Sequence, residues 1–501
     1  MRIILYNNGY VKQINKGDVY IMKKTKIICS IGPASNKPEI MAQMVENGMN
    51  IARLNFSHAD DQEKQQFQDC VREVRKMTGK NVSILWDTKG PELRGGVMVD
   101  EGADLIEGNT IRIVKESVIG NAERITLNHP QVIDTLEVGD EVWLENAKMK
   151  VVVISKEADG VTCKITQGGH LGSRKSFIIP GKKLNIPYVS EKDREDIKYS
   201  CEHGGEYLAI SFVSNKENID EIKALLKEYG REDFKIICKV ESVIGVQNIK
   251  EIFANSDGVM IGRGDLGSEV PPEEIPALQK MMVKTAREMG KIVIVATEML
   301  ETMMENNRPK RAETADIANA VFDGTDAVML SGETTVGKHP IETVAAMART
   351  CEVTEKYVDF TGKFALPVNP DENECIALAS SAINCAKIMD AKLIVVETLT
   401  GRTARILSNL KPNVPIIAIC DNEKTGRRIG LNYAVYPVIK ERATSVEGFL
   451  ADARSAAIEF AEKNDIKLEK GDKILITAGF TEGESATRGY VSTNLMKIEE
   501  I

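Results

Sequence analysis

No apolar run in this 501-residue chain approaches the roughly 20 residues that a membrane-spanning helix needs. The opening stretch, MRIILYNNGYVK, lacks the apolar centre and cleavage site of a secretory leader. Positive charge is not in excess: 65 Lys and Arg face 74 Asp and Glu, a net charge of −9. That argues against a general nucleic-acid surface. Nine cysteines (29, 70, 163, 201, 238, 351, 375, 385 and 420) include no C-x-x-C pair. A disulfide framework and a cysteine zinc site are both disfavoured, and a reducing cytoplasm is the expected compartment. Internal repeats and low-complexity tracts are also missing.

What is present is a rhythm. Eight short apolar segments each run into polar residues or glycine: KIICSIG, NIARLNFS, VSILWDT, EYLAISFV, KIICKVE, DGVMIGRGD, KIVIVAT and DAVMLSGE. Amphipathic stretches lie between most of them. NKPEIMAQMVENG and SNKENIDEIKALLKEYG carry apolar residues at helical spacing and close on glycine. Eight strands alternating with helices predict an α/β fold, a parallel (β/α)8 TIM barrel. At about 150 residues per domain the length predicts roughly three domains.

Two departures from the rhythm place the others. About 100 residues between the third and fourth segments read as short strands joined by Gly, Asp and Asn turns. They predict a β-rich, β-barrel-like lid, residues 92–186, inserted at the C-terminal face of a barrel formed by 22–91 and 187–357. KFALPVNPDENE reads as a linker into a C-terminal α/β domain, 358–501, with a helix from Glu374, strand KLIVVET, a helix from Arg402, strand VPIIAICD, and strands AVYPVI, KILITAG and NLMKIE. Residues 1–21 look foreign to the fold, with Met22 a candidate start.

In such barrels the working side chains sit at the C-terminal strand ends. Here those ends hold Arg53, Asn55, Ser57, His58, Asp87, Thr88, Lys89, Lys239, Glu241, Asp265, Thr297, Ser331 and Glu333. Lys239 and Glu241, two apart, leave the same face of their strand. Glu241 and Asp265 end consecutive strands, and two hard oxygen ligands suit Mg²⁺ or Mn²⁺ completed by substrate oxygens and water. The plainer alternative is that Glu241 only pairs with Lys239. GRGDLGSEVP places glycines around Asp265 ahead of a short helix, whose amides could take a carboxylate or phosphate, or form an ordinary turn. Arg53 and Lys239 suit a multiply charged anion. Asn55, Ser57, Asp87 and Thr88 could hold K⁺, or equally a network that fixes the strand ends. His58 could touch a phosphate or be structural. The Thr297 hydroxyl could relay a proton through water or Ser331.

Together these segments closely resemble the pyruvate kinase family. TKIICSIGPAS, NIARLNFSH, WDTKGPELR, IICKVESVIGV, GVMIGRGDLGSEVP, VIVATEMLETM, RPKRAETADIANAVFDGTDAVMLSGET and TLTGRTAR match its pattern in order, from about residue 24 onward. The resemblance implies phosphoryl transfer from phosphoenolpyruvate to ADP, Mg²⁺ on Glu241 and Asp265, and K⁺ on Asn55, Ser57, Asp87 and Thr88. Lys239 would neutralise charge on the phosphoryl group and the enolate, and Arg53 would grip the phosphoryl. Gly264 and Asp265, with Thr297, would bind the substrate carboxylate. Thr297, with Ser331, would help deliver a proton. Arg53, His58, Arg94 and Lys175 would contact nucleotide, and Glu92 matches the K⁺-dependent variant. Thr398, Thr400, Gly401, Arg402 and Thr403, faced by TEGESATRG, resemble an effector phosphate pocket, open to a sugar phosphate; a capped helix start is the plainer reading. The resemblance also implies a homotetramer, and the end at Ile501 implies no extra C-terminal domain of the kind some bacterial members carry. Ser214, Glu298, Lys310 and SRKSFIIPG depart from the family pattern, which bears on lid closure and rate. The competing readings are another Mg-dependent barrel lyase or aldolase acting on phosphoenolpyruvate or oxaloacetate, and a metabolite-binding regulator without turnover.

Overall fold

A computed structural model describes residues 4–7, 10–13, 22–145, 147–182, 184–360, 372–443, 445–479 and 493–501. Two compact units divide the chain: Ile27–Met347, and Ala348–Ile501 together with Met1–Lys26.

The first unit contains a closed barrel of eight parallel strands. We number them β1 Lys26–Ser30, β2 Ile51–Asn55, β3 Ser83–Asp87, β4 Tyr207–Ile210, β5 Lys235–Val240, β6 Gly258–Gly262, β7 Ile292–Ala296 and β8 Ala327–Leu330. All eight were legible as apolar runs because each is covered on both faces, so the sequence does not alternate. Every residue of β3, β6 and β7 is buried. Register levels the strand ends: Asn55 faces Asp87, Lys239 faces Met260, and Gly262 faces Ala296.

The helices between strands are specified locally. The helix Asp61–Thr78 starts at a capping box, with Asp60 and Glu63 each accepting the other's backbone N–H, and stops at Gly79 in the left-handed region (φ 65°). It buries Phe67, Cys70, Val71 and Val74. Phe67 meets Trp86 of β3 edge-on, and Trp86 stacks on Phe56 at 5.2 Å. Such aromatic pairs add about 0.5–1.5 kcal/mol each beyond the area they bury.

The insertion after β3 is β-rich as expected, but it is laid out as sheets. Phe177–Ile178, Glu141–Leu144, Met149–Glu157, Gly160–Gln167, Thr110–Val114 and Arg124–Thr126 form a six-stranded sheet in that order, and Gly169–Leu171 pairs with Ala103–Leu105. Alternate residues such as Ile111, Ile113, Val151, Val153, Val161 and Cys163 make its separate core. The short strands expected in this stretch are present. The two- and three-residue strands at 103–105, 169–171 and 177–178 are too short to show a period.

In the second unit five strands order as Val435–Ile439, Ile416–Cys420, Leu393–Glu397, Lys473–Ala478 and Leu495–Glu500, the last antiparallel. The helices Asn373–Ile388 and Arg402–Asn409 cover one face, with Ile394 and Val396 beneath them. The helix Val446–Lys463 covers the other, over Leu393 and Val395. That helix and the short one at Glu423–Arg428 were not anticipated. The N-terminal segment belongs here: Glu355 accepts the N–H groups of Lys24 and Thr25, and Lys26 Nζ donates to Val435 O at 2.6 Å. Earlier still, Ile4–Asn7 and Tyr10–Gln13 pair with each other. Residues 363–371 of the expected linker, and the expected facing loop, 481–489, lie outside the described residues.

Candidate active site

The ends of β1, β2 and β3 build a charge relay. The Arg53 Nε donates to Asp87 Oδ2 at 2.7 Å, and its Nη1 to Ser30 Oγ at 2.5 Å. The other Asp87 oxygen lies 3.2 Å from Lys239 Nζ. One fully buried carboxylate thus holds two cations, one from β2 and one from β5. Burial alone would raise the Asp87 pKa, but Arg53 and Lys239 outweigh it and hold the carboxyl below its ordinary value.

Lys239 Nζ donates to Ser211 Oγ at 2.8 Å and forms ion pairs with Asp87 and with Glu241 Oε1 at 3.0 Å. Burial would discharge it, yet Asp87 and Glu241 keep it charged and its pKa above the ordinary lysine value. Glu241 goes the other way. Burial pushes its carboxyl up to about 7, and Asp265 and Asp87 add to the rise, against Lys239 and the Phe212 N–H. Phe212 donates that N–H to Glu241 Oε2 at 2.9 Å from a left-handed backbone (φ 55°). Opposite, Gly262 leaves room: a Cβ there would lie 2.7 Å from Glu241 Cγ.

Asp265 sits one strand on, in the turn Arg263–Leu266 after β6. Its neighbour Gly264 donates its N–H to Thr297 Oγ1 at 2.8 Å, and that hydroxyl donates to Ala296 O at 2.6 Å. The candidate substrate amide and the candidate proton relay are therefore in direct contact. Thr297 and Glu298 are both left-handed, with φ of 69° and 55°. Two consecutive non-glycine residues there store strain. Arg263 holds the turn: Nη2 donates to Thr297 O at 2.5 Å and Nε to Ala296 O at 3.2 Å, while Nη1 pairs with Asp316 at 2.8 Å.

Arg53, Asn55, His58, Lys239, Glu241, Asp265, Thr297 and Ser331 line one cavity of about 640 Å³. Ser331 takes no hydrogen bond from Thr297; its N–H goes to Glu333 Oε2 at 2.7 Å, and Glu333 also accepts from Leu300 N, a structural role. Of the K⁺ candidates, Asn55 Oδ1 accepts the Ser57 N–H at 3.0 Å, and Thr88 Oγ1 accepts from Ser211 N at 3.2 Å. With Asp87 these are hard, anionic or neutral oxygens on adjoining strand ends, a donor set that fits a monovalent cation. On the lid side, Arg94 is paired with Glu92 at 2.8 Å and feels the charge of Asp265, and Lys175 stands 3.5 Å from Glu145.

Among the described residues no three His, Cys, Asp or Glu side chains gather into an all-protein metal cage. Glu241 and Asp265 fit the other kind of divalent site, in which one or two carboxylates share the ion with substrate.

Of the departures, Ser214 donates its N–H to Asn218 Oδ1 at 3.0 Å and accepts at its carbonyl from Asn248, an ordinary helix start. Lys310 precedes the helix Arg311–Asp323 and donates its N–H to Glu313. In the second unit Gly401 (φ 85°) donates to Thr398 Oγ1 at 3.0 Å, Thr403 Oγ1 meets Thr493 Oγ1 at 2.7 Å, and Arg402 pairs with Glu372 at 3.1 Å. Ser211, Phe212, Gly262, Arg263 and Ser30 were not picked out from the sequence. Ser211 directly follows β4, where the strand-end rule alone would have found it.

A barrel mouth that gathers two cations, two carboxylates and a clamped hydroxyl at its strand ends has the build of a barrel enzyme's active site. The family "Pyruvate kinase, barrel domain" matches residues 22–344, and "Pyruvate kinase, alpha/beta domain" matches 376–499. Pyruvate kinases of Geobacillus stearothermophilus and Sporosarcina psychrophila are each 39% identical over 96% of this chain, covering 80% and 81% of their own lengths. A crystal structure of a pyruvate kinase from Cryptosporidium parvum superposes with a TM-score of 0.87 at 34% identity, covering 95% of this chain and 96% of that one. The chain belongs to the pyruvate kinase family, the phosphotransferases that carry the phosphoryl group of phosphoenolpyruvate to ADP. The lyase, aldolase and non-catalytic readings fall away. No helix among the described residues is long and apolar enough to cross a membrane.

Proposed function

We propose that the catalytic division of labour follows the strand ends. Arg53 and Lys239, yoked through Asp87, receive the phosphoryl group from two sides and oppose the charge that gathers on its oxygens during transfer. Lys239 also faces the enolate oxygen left behind. Glu241 and Asp265 hold Mg²⁺ or Mn²⁺, whose chemistry when bound is positive charge against substrate oxygens. Backbone at Gly264 and Asp265, with Thr297, takes the substrate carboxylate; Thr297 and Ser331 serve proton delivery to the enolate carbon through water. K⁺ lies with Asn55, Ser57, Asp87 and Thr88. ADP enters between His58 and Arg53 on the barrel and Arg94 and Lys175 on the lid.

The observation that carries this reading is the single buried carboxylate of Asp87 holding Arg53 and Lys239 beside Glu241. Replacing Lys239→Met tests it. A folded variant should lose about 10³-fold in kcat, the scale of a lost charge-stabilising donor. Activity near that of the unaltered protein would end the assignment.

The remaining parts are regulatory and cellular. The loop 398–403 is the site for a phosphorylated effector, a sugar phosphate, which has to displace Glu372 from Arg402. The protein works in the cytoplasm as a homotetramer, without nucleic-acid or membrane partners, in keeping with its charge balance and the lack of a C-x-x-C pair.

A further inference from the structure

The Lys239 ammonium makes ion pairs with two carboxylates, Asp87 at 3.2 Å and Glu241 at 3.0 Å, and donates a hydrogen bond to the Ser211 hydroxyl at 2.8 Å. That hydroxyl in turn donates to Thr88 O at 2.7 Å, with Asp87 Oδ1 a more distant acceptor at 3.3 Å. Ser211 is buried and lies just past β4.

Ser211 is also where both ends of the lid insertion converge. On the outgoing side, Gly90 (φ 73°) presses against it: a Cβ on Gly90 would lie 2.9 Å from Ser211 Cβ and 3.0 Å from its carbonyl oxygen. The N–H groups of Lys89 and Gly90 are both held by Asp193 at 3.1 Å. On the returning side, the Tyr188 hydroxyl donates to the Ser211 carbonyl at 2.9 Å. The next residue, Phe212, donates its N–H to Glu241. One dipeptide therefore touches the lid's outgoing chain, its returning chain, the cation and the candidate metal carboxylate.

We propose that Ser211 is a positioning residue, which aims the Lys239 ammonium at the phosphoryl group and transmits the setting of the lid's two connecting segments to it. Of the three partner oxygens the hydroxyl is the only neutral one and the nearest, so the carboxylates keep the ammonium charged while the hydrogen bond to Ser211 sets its direction. A displacement of Tyr188 or Gly90 shifts the Ser211 backbone, and with it that hydroxyl.

The inference rests on the role given to Lys239 above, and the two are separable. Inactivity of Lys239→Met upholds that role whatever happens at Ser211. For Ser211→Ala we expect kcat to fall roughly 10- to 100-fold, as for a lost hydrogen bond to a charged group, with the phosphoenolpyruvate KM within about twofold. Tyr188→Phe removes only the hydroxyl and should lower kcat several-fold with KM unchanged. In the Ser211→Ala background it should add nothing. Multiplying effects, or a folded Ser211→Ala variant with unchanged kcat, would overturn the proposal. If Ser211→Ala melts prematurely, Tyr188→Phe decides alone: unchanged kcat rejects the link and a kcat-only loss supports it.

Discussion

Gly262→Ala is the most direct test of how the candidate metal carboxylate is placed. The added methyl would sit 2.7 Å from Glu241 Cγ and 2.8 Å from its Oε1, about 0.7 Å inside ordinary van der Waals contact. The Gly262 backbone has no left-handed φ, so space is the only obstacle. β6 cannot yield easily, because it is wholly buried and paired on both sides. Glu241 has to move by most of that 0.7 Å, away from the Phe212 N–H and its contact with Lys239. Overpacking of this kind costs about 1–3 kcal/mol of stability. Misplacement approaching 1 Å in a catalytic group costs up to about 10²-fold in rate. We expect kcat/KM to fall roughly 10- to 100-fold and the Mg²⁺ midpoint to rise about tenfold. Pyruvate formation coupled to lactate dehydrogenase, titrated with Mg²⁺, reads both, and a melting curve confirms the fold. A folded Gly262→Ala variant with rate and Mg²⁺ midpoint within twofold of the unaltered protein would refute the reasoning.

Other outcomes follow from the same structure. Asp316→Asn keeps a partner for Arg263 but removes its charge, which should loosen the Thr297 turn and cost about 1 kcal/mol, roughly fivefold in kcat, in steady-state assays. Exchange of K⁺ for tetramethylammonium at constant ionic strength should depress the rate, and an unchanged rate would remove K⁺ from the Asn55–Asp87 group. In the lid, the hydrogen bond His170 donates to the Asp104 carboxylate raises the His170 pKa above its ordinary value, with the Glu101 carbonyl assisting. A raised folded value means the pair stabilises fully below the unfolded pKa of about 6.5 and loses that contribution as pH rises through the folded value. His170→Gln should therefore weaken hydrogen-exchange protection of 103–105 and 169–171 at pH 6 and leave it unchanged at pH 9.

The barrel was legible because its code is coarse. Eight doubly covered strands read as apolar runs, and a run that stops on charge marks a working end. This brought Arg53, Asp87, Lys239, Glu241, Asp265 and Thr297 forward, and the structure gathers them. The supporting set was hidden for physical reasons. Phe212, Thr297 and Glu298 take left-handed backbone without glycine, so no residue type announced the turns. Gly262 looked like any glycine beside a turn, when its role is to admit the Glu241 side chain from the neighbouring strand. Arg263 was masked by the glycines around it, because a guanidinium that binds carbonyls 33 and 34 residues away leaves no local pattern. In the lid, strands of two or three residues carry too few positions to alternate.

The short N-terminal segment has a consequence for how the chain comes to be folded. Lys26 reaches Val435 across 409 positions, and Thr25 reaches Glu355 across 330. The residues synthesised early have their partners among those synthesised late. Contacts this distant in sequence close slowly, and domains otherwise tend to fold in order of emergence. The sheet of the second unit can be completed only when nearly the whole chain has left the ribosome. Until then Lys26, which ends up buried with its pKa pushed down by desolvation, stays hydrated and charged. A nascent chain halted near residue 360 should therefore hold its first strand less firmly than its seventh.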